Sequence, residues 1–225
     1  MFVGHFAVGF FAKLVAPRLS LPVLFAAVSF LDILWPLFIV LGIEHARIVP
    51  GITEASPLDL YDFPWSHSLV TSLAWSFAFA LPLLTGRHVR EGLVVVGCVF
   101  SHFVLDFVTH RPDLPLAPGM EGRYGLGLWN SLVPAVVVEA LLFAAGVVVY
   151  VRGTRATGRW GTLGLYAFVA VLTLSWLSGV FGPPPPGIQV VAVSALVFIP
   201  ITLAWAWAID RARPIRQSEG SEVSA

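Results

Sequence analysis

Residues 91–110 decide the fold of this chain, and they read EGLVVVGCVFSHFVLDFVTH. The apolar part is long enough to cross a membrane, because a helix needs about 20 residues to span a hydrocarbon core about 30 Å thick. Near its end it carries His102 and Asp106, which are four residues apart and therefore share one face of a helix. Ionisable groups at membrane depth are costly and by default mark a functional site. The stretch therefore predicts a membrane helix that carries such a site.

The composition of the whole chain also indicates a membrane protein. Of its 225 residues, 57% are hydrophobic and 12% are charged, whereas a soluble domain carries about 25% charged residues. The formal net charge is zero, and no basic cluster is interleaved with aromatic residues as a nucleic-acid surface requires. The single cysteine, Cys98, excludes an intrachain disulfide framework and a cysteine-rich zinc site.

The apolar runs predict the number of membrane spans. Six runs are long enough to cross, and they are 20–43, 66–85, 91–109, 130–151, 161–181 and 188–209. A seventh run, 4–16, is short for a full crossing. We predict an all-α, polytopic integral membrane helix bundle with six full spans and a short N-terminal helix, about seven helices in all. Residues 1–210 would form one transmembrane domain, and the polar segment 211–225 a disordered cytoplasmic tail.

The charges of the connections predict the orientation of the bundle. Lysine and arginine cluster within 13–18, 87–90, 152–159 and 211–216, and these basic connections alternate with connections that are acidic, mixed or uncharged. Basic connections face the cytoplasm by the positive-inside rule. We therefore expect a protein of the cell (inner) membrane whose C-terminus is cytoplasmic and whose loops 44–65 and 110–127 face outward.

Depth along the predicted helices suggests that distant polar residues meet. With a rise of about 1.5 Å per residue, His102 and Asp32 lie about 17 Å from the inner face, His5 about 20 Å and Asp106 about 23 Å, with His67 near the outer rim. Imidazole and carboxylate are ligands of zinc and other divalent transition metals. A bound ion would also offset the cost of burying carboxylates. We predict that these five residues hold a divalent metal, with zinc as the expected ion and no other cofactor.

Each predicted ligand also has a simpler interpretation. His5 could be a hydrogen-bonded core residue, and Asp32 could cap a helix break made by Pro36. His67 lies at a helix start, where Ser66 is a plausible N-cap. His102 and Asp106 could hydrogen-bond to each other without a metal.

Other polar residues are candidates for proton transfer or support. Asp62 and His110 lie in or beside the outward loops and could serve as acid, base or extra metal ligands, although solvated loop residues are the simpler interpretation. We predict them as the acid and base groups. Glu139 could carry a proton, support a ligand, or bond as a neutral carboxyl to a neighbouring helix. Cys98 is predicted to be a small core residue.

The order of four short motifs resembles a known family. Gly4-His5 comes first, an Asp-bearing segment Leu31-Asp32-Ile33-Leu34 follows, and Ser66-His67-Ser68 and Ser101-His102-x-x-x-Asp106 come next. This order resembles the LexA-binding, inner-membrane-associated, metal-dependent hydrolases over about residues 1–110. That family has Pro-Asp-x-Asp where this chain has one carboxylate. The resemblance implies a metal-dependent hydrolase with the same five metal-site candidates.

Three functions compete on the sequence alone. The first is a metal-dependent membrane hydrolase that acts on a lipid or other amphiphile, including a phosphoester, at the outer side of the membrane. Its expected partners are membrane lipid and a lipid-like or small amphiphilic substrate, without nucleic acid, and the sequence does not predict an oligomeric state. The alternatives are a proton-coupled transporter and a non-catalytic membrane scaffold. The transporter is disfavoured because 21–30 and 92–101, the inner halves of two helices, carry no Asp, Glu, Lys, Arg or His. The scaffold is disfavoured because interhelical hydrogen bonds contribute only about 0.6 kcal/mol each.

Overall fold

The computed structural model describes residues 1–216, which form a helix bundle with two short β-hairpins. The helices are α1 (Val3–Val15), α2 (Leu21–Val28), α3 (Phe30–Val40), α4 (Pro64–His67), α5 (Leu69–Leu84), α6 (Val89–Thr109), α7 (Leu132–Gly153), α8 (Arg159–Phe181) and α9 (Ile188–Ala212). The antiparallel strands are β1 (His45–Ile48) with β2 (Leu58–Asp62), and β3 (Leu114–Pro115) with β4 (Arg123–Tyr124). The predicted all-α class is confirmed for the bundle, and the hairpins lie in the two predicted outward loops.

Long apolar helices make this chain an integral membrane protein. Within the described residues four helices are long and apolar enough to cross a membrane, namely α6, α7, α8 and α9. The pair α2 and α3 would make a fifth span, but the two helices are bent by 56° relative to each other. With 13 and 16 residues, α1 and α5 are shorter than a typical span. The count of six full spans therefore stays a prediction.

The break in the run 20–43 lies at Ser29 rather than at Pro36. Ser29 has φ −102° and ψ 9° and separates α2 from α3, whereas Pro36 lies inside α3. Val28 is the last residue of α2, so its carbonyl accepts no hydrogen bond from an N–H of that helix. Asp32 falls in the first turn of α3. Asp32 therefore does not cap a break at Pro36, and the bend brings it and the Val28 carbonyl to the centre of the bundle.

The short helix α1 lies inside the bundle, packed against α2, α6 and α7. Gly146 of α7 allows the close approach, because a Cβ at that position would lie 2.7 Å from the Cα of Ala7. Phe6 and Phe10 of α1 both pack edge to face against Phe25 of α2. These contacts fix the position of α1 in the core.

The C-terminal end of the described chain packs against the bundle. The last helix, α9, continues to Ala212, within the segment predicted as a tail. Arg216 donates its backbone N–H to the Gly153 carbonyl at 2.9 Å, and Ile215 pairs with Thr154 as an isolated β-bridge. The rest of the predicted disordered tail, 217–225, lies outside the described residues.

The hairpin of β1 and β2 is tied to the segment that follows α6. Arg47 Nε lies 2.6 Å from Asp59 Oδ2, and Arg111 pairs with the other oxygen of the same carboxylate. Leu58 and Leu60 of β2 line a cavity under the hairpin. The hairpin thus forms a roof over one end of the bundle.

Candidate metal centre

The structure brings together the five residues that the sequence analysis predicts as ligands. Asp106 Oδ2 lies 3.2 Å from Nε2 of His102 and 3.7 Å from Nε2 of His67, and its Oδ1 lies 3.2 Å from Nε2 of His5. Asp32 Oδ1 lies 3.6 Å from His102 Nε2 and 3.7 Å from His67 Nε2. The donors come from α1, α3, α4 and α6. The predicted convergence is therefore present in the structure.

These distances suit shared coordination of a cation better than direct hydrogen bonding. Ligand atoms about 2.0–2.1 Å from a tetrahedral ion lie about 3.3–3.4 Å from one another. The contacts of 3.6 and 3.7 Å are too long for hydrogen bonds. The ring nitrogens of His5 and His102 that lie 3.2 Å from Asp106 also make no hydrogen bond within the described residues. Two overlapping sets of these residues, His5 with His102 and Asp106, and Asp32 with His67 and His102, are each close enough to hold a metal ion.

The tautomer of His102 is fixed by the bend between α2 and α3. His102 is fully buried, and its Nδ1 lies 2.7 Å from the carbonyl of Val28. A carbonyl only accepts, so Nδ1 carries the proton and donates it to this bond. Nε2 is left with its lone pair facing Asp32 and Asp106. An outer partner that orients a histidine in this way is typical of metal sites.

A chain of two hydrogen bonds, from His67 to Ser66 and from Ser66 to Glu44, orients His67. We call it the Glu44–Ser66 relay. Ser66 Oγ donates to Glu44 Oε2 at 2.6 Å and lies 2.7 Å from His67 Nδ1. Because the hydroxyl proton is used for Glu44, Ser66 accepts from Nδ1–H, and the lone pair of His67 lies on Nε2. Burial raises the pKa of the Glu44 carboxyl, and hydrogen bonds from Ser66 and from the Trp65 N–H oppose that rise. His67 thus faces the two carboxylates in the form that binds a metal.

The sequence suggested Ser66 as a helix N-cap, but in the structure Ser66 does not cap a helix, so its hydroxyl group is free to contact Glu44 and His67. The N-cap of α5 is Ser68, whose Oγ accepts the N–H of Thr71 at 3.2 Å. Ser66 instead lies within the short helix α4 and turns its hydroxyl toward Glu44. Ser66 and Ser68 therefore flank His67 with different roles.

His5 has no hydrogen-bond partner for either ring nitrogen within residues 1–216, although its side chain is buried. Its ring is stacked on that of His102, with 3.7 Å between centroids and 3° between planes. An unsatisfied buried polar group is costly, and two stacked imidazolium cations would repel each other. Neutral rings whose Nε2 lone pairs face bound cations would avoid the repulsion and would give Nε2 of His5 a partner, so that only its Nδ1 would stay unsatisfied. The interpretation of His5 as a hydrogen-bonded core residue therefore does not fit the structure.

Glu139 holds the helix that carries His5. Its Oε1 accepts the backbone N–H of Gly4 at 3.2 Å and that of Phe2, at the N-terminus of α1. The first N–H groups of a helix have no partner within it, and a carboxylate there is favourable. Among the roles left open for Glu139, supporting a predicted ligand fits this contact best.

The two predicted proton-transfer residues have different surroundings. His110 is buried, with Nδ1 at 3.1 Å from Asp113 Oδ1 and Nε2 at 3.7 Å from Asp106 Oδ1. Asp62 pairs with His45 at 2.9 Å on the hairpin, and its side chain is 44% exposed. The structure thus brings His110 to the cluster and leaves Asp62 outside it.

A cavity of about 630 Å³ opens onto the cluster. His5, Asp32, His67, Asp106 and His110 line its polar end, and the side chain of Asp32 is 39% exposed. Apolar side chains of α1, α8 and α9 also line it, among them Phe6, Trp176 and Phe198. The cluster is therefore reachable through a mostly apolar space.

Replacing Ser66 with alanine is expected to weaken metal binding without removing a ligand. The variant breaks the connection between Glu44 and His67, and loss of such an outer partner lowers metal affinity about 10–100-fold. The affinity would be measured by competition with a chelator in detergent. Ser68→Ala is the matched control, because Ser68 is equally buried and caps α5 instead. Equal losses of affinity in the two variants would contradict the relay.

The comparisons with known proteins leave the site to be interpreted from its own residues. No family model matches the chain, and no curated protein or solved structure matches it significantly.

Proposed function

We propose that this protein is a metal-dependent membrane hydrolase, with His5, Asp32, His67, His102 and Asp106 as the metal-binding residues. The observation that carries the proposal is the set of buried imidazoles whose Nε2 atoms face two carboxylates and make no hydrogen bond that would explain their position. A divalent ion such as zinc, when bound there, would act as a Lewis acid and activate water for attack on an acyl or phosphoryl centre. The five residues would hold the ion, and the Asp32 side chain, which is 39% exposed, would leave its side of the centre open to the cavity.

The cavity supports an amphiphilic substrate. It is lined by residues of the cluster, by Leu58 and Leu60 of the hairpin, and by largely apolar side chains of α8 and α9. Apolar pockets with a few convergent polar groups are typical of ligand sites. The polar group of a lipid or lipid-like molecule would lie at the carboxylates, with its apolar part along α8 and α9. With six spans and a cytoplasmic C-terminus in the cell (inner) membrane, this site would open toward the outer side.

The unsatisfied ring nitrogens favour the hydrolase over a scaffold. A scaffold would use these groups for interhelical hydrogen bonds, which contribute about 0.6 kcal/mol each in a membrane protein. His5 makes none within the described chain. On α1 after His5, Phe6 and Phe10 pack edge to face against Phe25 of α2, which argues against a continuous polar path along α1 of the kind that a transporter needs.

The test is to measure metal content and lipid turnover on the same purified protein. We expect wild-type protein in detergent to carry a divalent metal by elemental analysis. When the protein is incubated with a membrane lipid extract, mass spectrometry should detect the loss of one lipid class. Chelation and the variant Asp32→Asn should each abolish this loss, because Asp32 is the exposed carboxylate of the cluster.

Asp62→Asn is the matched control, since Asp62 is also a carboxylate near the outer loops but pairs with His45. It should retain both metal and turnover. Wild-type protein that binds no divalent metal, or that keeps its turnover after complete metal removal, would contradict the proposal.

A further inference from the structure

We infer that the centre holds two cations, bridged by the carboxylate of Asp106, with His5 and His110 as ligands of the second. This inference rests on the proposed metal centre and adds a site to it. The two oxygens of Asp106 face different histidines. His102 and His67 lie 3.2 and 3.7 Å from Oδ2, whereas His5 and His110 lie 3.2 and 3.7 Å from Oδ1. The carboxylate thus has one pair of imidazoles on each oxygen.

The stacked rings of His5 and His102 indicate the spacing of the two positions. The planes are parallel within 3°, the centroids are 3.7 Å apart, and each Nε2 lies beside a different oxygen of Asp106. Ions in two-metal hydrolytic sites are about 3.5–4 Å apart. A single ion between these parallel rings would lie out of the plane of at least one of them, away from the direction of that ring's lone pair. Two ions, one for each ring, would satisfy both lone pairs in their ring planes.

His110 is oriented as a ligand in the same way as His67 and His102. Its Nδ1 lies 3.1 Å from Asp113 Oδ1, so the proton is on Nδ1 and the lone pair of Nε2 faces Asp106. Arg111 Nε lies 3.4 Å from the other oxygen of Asp113, and the ring of Trp129 stacks on His110 with 4.3 Å between centroids. Because His110 is buried and is contacted by both Asp113 and Trp129, it is not a solvated loop residue. In this arrangement His110 is a ligand rather than the predicted acid or base.

Asp106 Oδ1 already has a cationic neighbour in the structure. The α-amino group of Met1 lies 2.7 Å from this oxygen, and Glu139 lies close by, at the N-terminus of α1. The negative charge on this side of Asp106 thus attracts a positive group. The amine and a second metal ion are alternative partners for the same oxygen, and the number of bound ions distinguishes them.

The experiment counts ions in full-length protein that has been stripped and reloaded with Mn²⁺. We expect two Mn²⁺ per wild-type chain and an electron paramagnetic resonance spectrum of two exchange-coupled ions. His110→Gln should bind one Mn²⁺ and give the hyperfine pattern of an isolated ion. His45→Gln is the matched control, because His45 is half exposed on the hairpin and pairs with Asp62. This control should keep two coupled ions.

The outcomes separate this inference from the proposed function. One isolated Mn²⁺ in both wild type and His110→Gln overturns the second position and leaves the first centre in place. No Mn²⁺ in the wild type overturns the second position, and the metal content of the purified protein then decides separately on the first centre. Two ions that persist in His110→Gln overturn the assignment of His110. If His110→Gln does not accumulate, the ion count and the coupling in the wild type decide whether a second ion is bound.

Discussion

Replacing His102 with alanine is expected to release the metal and to abolish hydrolysis. His102 is fully buried in the middle of the site, with Nε2 at 3.6 Å from Asp32 and at 3.2 Å from Asp106. The substitution removes a ligand and also leaves the Val28 carbonyl without its partner. Loss of an outer partner costs about 10–100-fold in metal affinity, and loss of the ligand itself should exceed about 100-fold. Chelator competition and elemental analysis measure the effect.

The control must separate loss of a ligand from loss of packing. Cys98 lies one turn before His102 on α6 and is also buried. Cys98→Ala therefore removes buried atoms from the same helix without touching the cluster, and it should keep full metal content. If His102→Ala remained folded and bound metal as tightly as Cys98→Ala does, the proposed centre would be wrong.

Helix geometry explains why the cluster of histidines and aspartates could be predicted from the sequence. The rise per residue is fixed, so the number of residues from a charged helix end gives the depth of a side chain. That reasoning brought His5, Asp32, His102 and Asp106 to similar depths, and the structure joins them within 3.7 Å contacts. The spacing of four residues also places His102 and Asp106 on one face of α6.

The supporting groups could not be predicted, because they depend on contacts that local patterns do not encode. Glu44 reaches Ser66 across a gap of 22 residues, after the chain has passed through the β1–β2 hairpin. The bend at Ser29, which frees the Val28 carbonyl for His102, has no proline or glycine to mark it. Pro36, which the sequence suggested as the break, stays inside α3, and proline is tolerated in membrane helices when neighbours satisfy the freed carbonyl.

The different positions of Asp62 and His110 follow from their elements rather than from their residue types. Asp62 ends β2, where the strand register places it opposite His45. Neighbouring residues on a strand face opposite sides, so the direction of Asp62 depends on that register. His110 follows the last turn of α6, four residues after Asp106, and therefore reaches the same carboxylate. The sequence therefore predicts the position of His110, which follows from helical spacing, but not that of Asp62, which depends on how the two strands pair.

At the opposite end of α1 from His5, replacing Asp210 with leucine is expected to destabilise the protein by about 3–5 kcal/mol. Lys13 Nζ lies 2.8 Å from Asp210 Oδ1, and the lysine side chain is only 8% exposed. Its other contacts are the carbonyls of Leu19 at 2.7 Å and Pro17 at 3.3 Å. Removal of the carboxylate leaves the buried ammonium without a counter-charge among residues 1–216, and the free energy of unfolding in mixed micelles measures the cost.

The double variant Lys13→Met with Asp210→Leu tests whether the cost comes from the stranded charge. Replacing both members of a buried ion pair with apolar residues is often neutral or stabilising, so the double variant should recover most of the stability that Asp210→Leu loses. Its metal content should stay that of the wild type, because Lys13 is eight residues from His5, about 12 Å along α1. A double variant as unstable as Asp210→Leu would mean that the carboxylate stabilises α9 by another contact. Recovery of stability with intact metal binding would identify the pair as an anchor of α1 that is independent of the metal centre.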